Sequence, residues 1–162
     1  GMNDSDTGNQ IPAEAQRPTV RVDLLLFDSE GQLLLVKHDH DPGDAAWSTP
    51  GGNMQMHETV KAAASRLGHQ QLSLLLPPND LTVLNVYEQS YTNPEIGSHL
   101  ITFTVSAAIG PFAKAGLNHE SLYNEIRWSP IETVIADASV DHFVKNYFHP
   151  HPWNCPLINK RL

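Results

Sequence analysis

Gly52-Asn-Met-Gln-Met-His57-Glu58-Thr59-Val-Lys-Ala-Ala-Ala-Ser-Arg66-Leu67-Gly68-His69-Gln70-Gln71-Leu72-Ser73-Leu74 decides how the rest of the chain is read. From Thr59 to about Leu74 the apolar residues Val60, Ala63, Ala64, Leu67 and Leu74 recur at a spacing that predicts one buried stripe of a helix. Positions 67, 70 and 71 stand at i, i+3 and i+4, so they share one face. Leu67, Gln70 and Gln71 occupy that face and leave it without charge. Gly68 inside the helix costs about 1 kcal/mol relative to Ala. Ser73 is a poorer residue than Gly for a left-handed helix end.

The stretch resembles the Nudix box. That pattern runs glycine, five residues, glutamate, seven residues, then Arg-Glu-apolar-any-Glu-Glu-any-Gly-apolar. Gly52, Glu58 and Arg66 match its spacing, and Trp47-Ser-Thr-Pro50-Gly51-Gly52 is similar to the usual approach. Departures begin after Arg66: Leu67, Gln70 and Gln71 stand where the family has its three metal-binding Glu residues, and Ser73 replaces the closing Gly. The resemblance implies an α/β fold, a Nudix-type α/β/α sandwich with a mixed central sheet. It also implies hydrolysis of a nucleoside diphosphate linked to another group, with Mg²⁺. A hard cation needs oxygen ligands and is usually held by one or two carboxylates plus substrate phosphates. A glutamine offers an uncharged carbonyl oxygen and a leucine offers none, so any Mg²⁺ bound here is expected to be weakly held.

Among family members the broken signature is most similar to the GDP-mannose mannosyl hydrolases, which also lack part of the box. A sugar nucleotide is therefore the favoured substrate. The match is incomplete, because Gln71 and Tyr123 stand at or near positions where that subgroup keeps a carboxylate and a His. The competing expectation is a hydrolytically inactive Nudix fold that binds a nucleotide or sugar nucleotide.

In the family the Glu58–Arg66 pair mainly braces loop and helix; Glu58 is also a candidate residual metal ligand or catalytic group. Gly51 and Gly52 suit close backbone approach or positive φ, and by resemblance their carbonyls could face a metal or substrate. Gln70 and Gln71 have three readings: surface amides, ligand-binding amides, or weak metal ligands. Glu120, in the loop ahead of Arg127-Trp128, is the leading candidate for a replacement general base or metal ligand, against the plainer reading of an exposed loop carboxylate; Glu125 lies beside it. Trp47, Tyr87 and Tyr91 are candidate base-stacking rings. His38, His40, Asp41 and His57 match no specific zinc spacing and read as surface or phosphate-contacting groups.

Outward from the box, Val20–Phe27 and Gln32–Lys37 read as a hairpin about the turn Asp28-Ser-Glu-Gly31, followed by a loop from His38 to Ala46. Residues Leu81 to about Gln89 and Ser98–Ala108 read as further strands around a loop at 91–97, and Glu125–Trp128 as a short strand. Pro130 opens a last helix to about Phe148, with Val134, Val140, Phe143, Val144 and Tyr147 on its apolar face. Residues 1–17 read as a disordered tail, with Gly1 before Met2 as a tag scar. Residues 18–148 read as one Nudix-like domain and 149–162 as an extended tail, in which His149, His151 and Cys155 are minor metal candidates and Trp153 covers an apolar patch or a partner subunit.

At 162 residues the chain has room for one domain. A net charge of -8 argues against a nucleic-acid polymer, which requires clustered Lys and Arg. A mononucleotide needs only a few local groups. The single Cys155 excludes an intramolecular disulfide. With no apolar run of membrane length and no signal-like start, the chain reads as soluble and cytoplasmic. Homodimerisation is frequent in the family and is an expectation here.

Overall fold

The computed structural model describes residues 17–38, 46–90 and 99–148. The expectations for the two tails, and for His40, Asp41, Tyr91, His149, His151, Trp153 and Cys155, lie outside these residues.

Six strands and four helices follow one another as β1 (Thr19–Phe27), β2 (Leu33–His38), β3 (Gly51–Asn53), α1 (Val60–Leu72), β4 (Thr82–Ser90), β5 (His99–Ala108), α2 (Pro111–Ala115), β6 (Tyr123–Ser129), α3 (Ile131–Ala136) and α4 (His142–Phe148). The sheet runs β4-β5-β1-β2-β6, with β3 added to β1. Its parallel pair is β1/β5, from Thr19 opposite Leu100 to Phe27 opposite Ala108. β1 shares its other edge: Arg21, Val22 and Asp23 pair with β3, while Phe27 alone pairs with β2. That division lets β2 diverge towards β6 and opens a space beside the start of β1.

Side chains alternate across the sheet with a period of two. Val22, Leu24, Leu26, Leu34 and Val36 face α1 in one core cluster. Leu25, Leu33 and Leu35 face the other way and pack with Val134, Val140 and Val144 of the α3–α4 side. Each fully buried Leu contributes about 1.5–3 kcal/mol relative to an exposed one. The result is the expected mixed sheet between helices, and among the described residues no helix is long and apolar enough to cross a membrane.

Several local features differ from the sequence reading. The last helix is two. Asp137 leaves α3 in an extended conformation, its carboxylate accepting from the Ser139 N–H and Oγ and from Arg127, and α4 starts afresh at His142. Phe143 is 36% exposed, so it is outside the apolar stripe. Ser73 does adopt the left-handed conformation, at φ 56° and ψ 31°, with its N–H bonded to the His69 carbonyl at 3.0 Å. At the other end Thr59 Oγ1 caps α1 by accepting from Ala62 N at 3.0 Å. Gly68 has a packing reason: a Cβ there would overlap the Leu76 side chain. The short β3 and α2 were not expected. β6 begins at Tyr123 rather than Glu125, and its pairing with β2 shifts register beside His38, so that Tyr123 rather than Asn124 lies opposite His38. This bulge turns Tyr123 to the side already faced by Ile126 and Trp128.

Candidate functional site

Glu58 and Arg66 form the brace of the loop ahead of α1. Arg66 Nε donates to Glu58 Oε2 at 2.6 Å and Nη2 to Oε1 at 3.0 Å, a two-pronged contact. Arg66 Nη2 also reaches the Asn53 carbonyl at 2.9 Å, and the Gln55 N–H donates to Glu58 Oε1 at 2.7 Å. Loop, strand β3 and helix are thereby tied at one point. Arg66 holds the Glu58 carboxyl below its ordinary range. With His57 at φ 70°, the chain turns tightly just before Glu58. All the Glu58 partners among the described residues are groups of this brace, which leaves no observed contact to a reacting centre.

The helix face at 67, 70 and 71 is resolved differently at each position. Leu67 is buried against β3: a Cβ on Gly52 would lie 2.8 Å from its Cδ2. Gln70 is exposed and accepts from Arg66 Nη1 at 3.1 Å. Gln71 is 8% exposed and bonded at both ends of its amide; its Nε2 donates to the Gly51 carbonyl at 2.9 Å, while its Oε1 accepts from Tyr123 Oη at 2.6 Å. Burial pushes the Tyr123 phenol up to about 12, so at neutral pH it stays protonated and donates a hydrogen bond.

Gly51 and Gly52 are present for close approach, since neither has positive φ. A Cβ on Gly51 would overlap Asp23 Oδ1 and sit 2.6 Å from the Val22 carbonyl oxygen, which is backbone and cannot rotate away.

Beyond Gly51, between β1, β3 and α4, lies a cleft of about 470 Å³, within the usual size range of small-molecule sites. Arg21, Asp23, Thr49, Tyr123 and Tyr147 are among its walls. Asp23 Oδ1 accepts from Arg21 Nη2 at 3.1 Å and Oδ2 from Tyr147 Oη at 2.5 Å. Its side chain is only 13% exposed. Desolvation by burial raises the Asp23 carboxyl above its ordinary value, opposed by Arg21 and the Tyr147 hydrogen bond. Tyr147 rises well above the ordinary phenol value for the same reason and because the Asp23 charge disfavours a phenolate.

The proposed stacking rings are engaged elsewhere. Tyr87 is 7% exposed, packs against Tyr147 at 4.9 Å between centroids and accepts from Asn85 Nδ2. Trp47 carries the Arg127 guanidinium 4.4 Å and the Lys37 ammonium 5.2 Å from its ring centroid and packs on the α3–α4 core. Neither ring lines the cleft. Glu120 is exposed, with its own N–H turned to Asn118 Oδ1, and it too is outside the cleft wall; Glu125 is exposed on β6 opposite Lys37. His38 lines the cleft edge-on to Tyr123 at 4.9 Å.

A family model described as NUDIX domain matches residues 17–149. The chain belongs to this family. Solved structures agree at the level of fold. A Nudix hydrolase of Burkholderia pseudomallei is 18% identical, with 82% of this chain and 97% of that one covered and a TM-score of 0.66. The Nudix domain of Shewanella oneidensis NrtR, solved with ADP ribose, is 17% identical, with 86% and 90% covered and a TM-score of 0.60. A MutT/Nudix protein of Enterococcus faecalis is 19% identical at a TM-score of 0.57, with 76% of this chain covered; the match spans 48% of that longer protein.

Nudix enzymes generally use divalent metals, and the box residues here do not fit one. A cation at the family position would need oxygen ligands, but Leu67 fills the volume over Gly52 and the Gly51 carbonyl already accepts an N–H from Gln71. Among the described residues no three His, Cys, Asp or Glu side chains converge as a metal site. The Gln71 amide supplies a donor to the Gly51 carbonyl. The sequence contained half of this: the loss of charge at 67, 70 and 71 was legible, whereas the direction of the Gln71 amide required the Gly51 and Tyr123 positions. Asp23 left a signal too, as a carboxylate amid the alternating apolar residues of β1.

Proposed function

We propose that this Nudix domain binds a small nucleotide derivative, with a sugar nucleotide or other nucleoside diphosphate-linked compound favoured, and does so without metal-dependent hydrolysis. One observation carries the reading: Gln71 is buried and holds the Gly51 carbonyl and the Tyr123 hydroxyl at once, at 2.9 and 2.6 Å. A neutral amide in this position removes the need for a bridging cation and leaves the adjoining cleft intact. The ADP ribose bound by the NrtR Nudix domain supports a ligand of this class. Fold alone does not fix activity, so the argument rests on the residues of the site.

A second reading, hydrolysis of a sugar nucleotide, is favoured by family membership and by the Asp23 carboxyl inside the cleft. The two separate cleanly by calorimetric titration of GDP-mannose, ADP-ribose, GDP and ADP, each with and without Mg²⁺, followed by chromatography of every mixture. Metal-independent binding with no product is expected. Mg²⁺-dependent product formation would overturn the binding-module reading in favour of hydrolysis.

A further inference from the structure

The sheet face that receives α4 changes character along β1. At one end Leu25 shares a core cluster with Val144, and Phe27 meets Phe148 edge-on at 6.4 Å between ring centroids. Towards the start of the strand the same face carries Asp23 and then Arg21. Pairing across β5 sets Thr104 and Asn85 in the row of Asp23, and Thr102 and Tyr87 in the row of Arg21. This strip is polar, and α4 covers it with one side chain. Tyr147 donates to Asp23 Oδ2 at 2.5 Å, and its ring lies 4.9 Å from that of Tyr87. Because β5 stands between β4 and β1, a side chain that touches both Tyr87 and Asp23 lies across β5. Thr102 is 6% and Thr104 1% exposed, and Asn85 Oδ1 is buried with no hydrogen-bond partner among the described residues.

We propose that Tyr147 is a gate: its ring swings off β5 as the last turn of α4 loosens, while Val144 stays seated in the core, and the cleft then extends over the strip of Asp23, Thr102, Thr104 and Asn85. The two halves of α4 are held by different forces. Covering Leu25 removes apolar surface from water, which is the main source of stabilisation in a core. Covering a carboxyl, two hydroxyls and an amide brings little of that gain and costs wherever a polar group loses water without finding a partner, as Asn85 Oδ1 does. Burial also raises the Asp23 carboxyl above its ordinary value, so the closed form holds a group that is better solvated when uncovered. Tyr147 is the next-to-last residue of a seven-residue helix, and helix ends are where local opening is easiest. What opposes opening is the hydroxyl bond to Asp23, the ring contact with Tyr87 and the Phe27–Phe148 edge contact. The hydroxyl bond does not depend on the charge of Asp23, since an ionised and a protonated carboxyl both present an acceptor oxygen. The gate is a property of the ligand-free chain and stands apart from the nucleotide reading.

The test is amide hydrogen exchange followed by NMR on the full chain in increasing, sub-denaturing urea, for the wild type and Tyr147→Phe. In the wild type the amides from Lys145 to Phe148 are expected to exchange through an opening that urea does not change, whereas those of β1 and β5 exchange through a urea-dependent one. Tyr147→Phe keeps the ring and removes the donor, so exchange in the last turn of α4 should quicken about fivefold or more, the effect of leaving a buried acceptor unpaired. Exposure of the strip is read separately by maleimide labelling of Thr102→Cys in a Cys155→Ser background. Labelling should be slow and independent of urea, and about fivefold or more faster when Tyr147→Phe is added. Exchange of the α4 amides with the same urea dependence as β1 and β5 overturns the gate, because the helix then leaves only on global unfolding. An unchanged rate in Tyr147→Phe overturns the role of the hydroxyl. Immediate labelling that ignores Tyr147→Phe overturns it as well, by showing the strip already open. The urea dependence of the wild type needs no variant, so a poorly folded Tyr147→Phe protein leaves the proposal open to refutation.

Discussion

Gln71→Glu is the perturbation that separates an amide serving as donor from an incidental surface amide. The substitution preserves shape but replaces the Nε2 donor with an oxygen. Tyr123 Oη would still donate to the side chain, as it does now at 2.6 Å. The Gly51 carbonyl, now 2.9 Å from Nε2, would instead face a carboxylate oxygen. Leaving that buried acceptor without its donor costs about 1–3 kcal/mol, and burying the new charge raises its pKa in addition. In a domain of this size the expected fall in Tm is roughly 4–12 °C. Two treatments should reverse it. Acidification protonates the introduced carboxyl, which can then donate to Gly51. Millimolar Mg²⁺ or Mn²⁺ can bridge the carboxylate and the carbonyl; a cation present at ten times its Kd would restore about 1.4 kcal/mol. Thermal melts of both proteins in chelator, in metal and across pH 5–8 read all of this. A Gln71→Glu protein as stable as wild type in chelator, with no response to metal or acid, would refute the account of Gln71 as a donor in place of a cation.

Three other outcomes follow from the same geometry. Tyr123→Phe removes the donor to Gln71 Oε1 and should lower stability by about 1–2 kcal/mol in urea melts; spectrophotometric titration should show one wild-type tyrosine ionising near pH 12 that is missing from the variant. Gly51→Ala places a methyl against the Val22 carbonyl and should cost about 1–3 kcal/mol or more, seen as a drop in urea midpoint. Asp137 is lowered from 3.8 to about 2 by the Ser139 side-chain and backbone hydrogen bonds and then by Arg127. Its folded form therefore binds fewer protons than the unfolded chain between those values, so its contribution is present above pH 3.8 and lost as pH falls through about 2. The urea midpoints of wild type and Asp137→Asn should accordingly differ at neutral pH and converge towards pH 2.

The box helix, the hairpin and the long strands were legible because each carries its own period. Val22, Leu24 and Leu26 against Leu25 show two buried faces of one strand even in a run of apolar residues. The break between α3 and α4 was not legible, because Val134, Val140 and Val144 keep apolar spacing across it, and only the Asp137–Ser139 hydrogen bonds reveal the turn. Ser73 adopting a left-handed conformation shows helix-end hydrogen bonding outweighing residue preference at one position. In the site, the lost charges were visible as residue types. That Tyr87 and Trp47 are occupied by protein neighbours was not, since aromatic rings satisfy a core and a ligand equally well and only Tyr147, Lys37 and Arg127 show which use was made of them.

The contrast between the brace and the metal face has a physical origin. Three carboxylates at i, i+3 and i+4 repel one another on a helix and are tolerable when a cation sits among them. Losing one weakens the cation and leaves the other two as a net cost, so neutral replacements become favourable together. Each replacement here answers a different local demand: Leu67 fills volume over Gly52, Gln70 meets Arg66 at the surface, and Gln71 satisfies the Gly51 carbonyl. Glu58 and Arg66 are unaffected by that logic because their partners are each other and the loop backbone. The brace ties loop, strand and helix at one point, while the face at 67, 70 and 71 is occupied by neutral groups fitted to their neighbours.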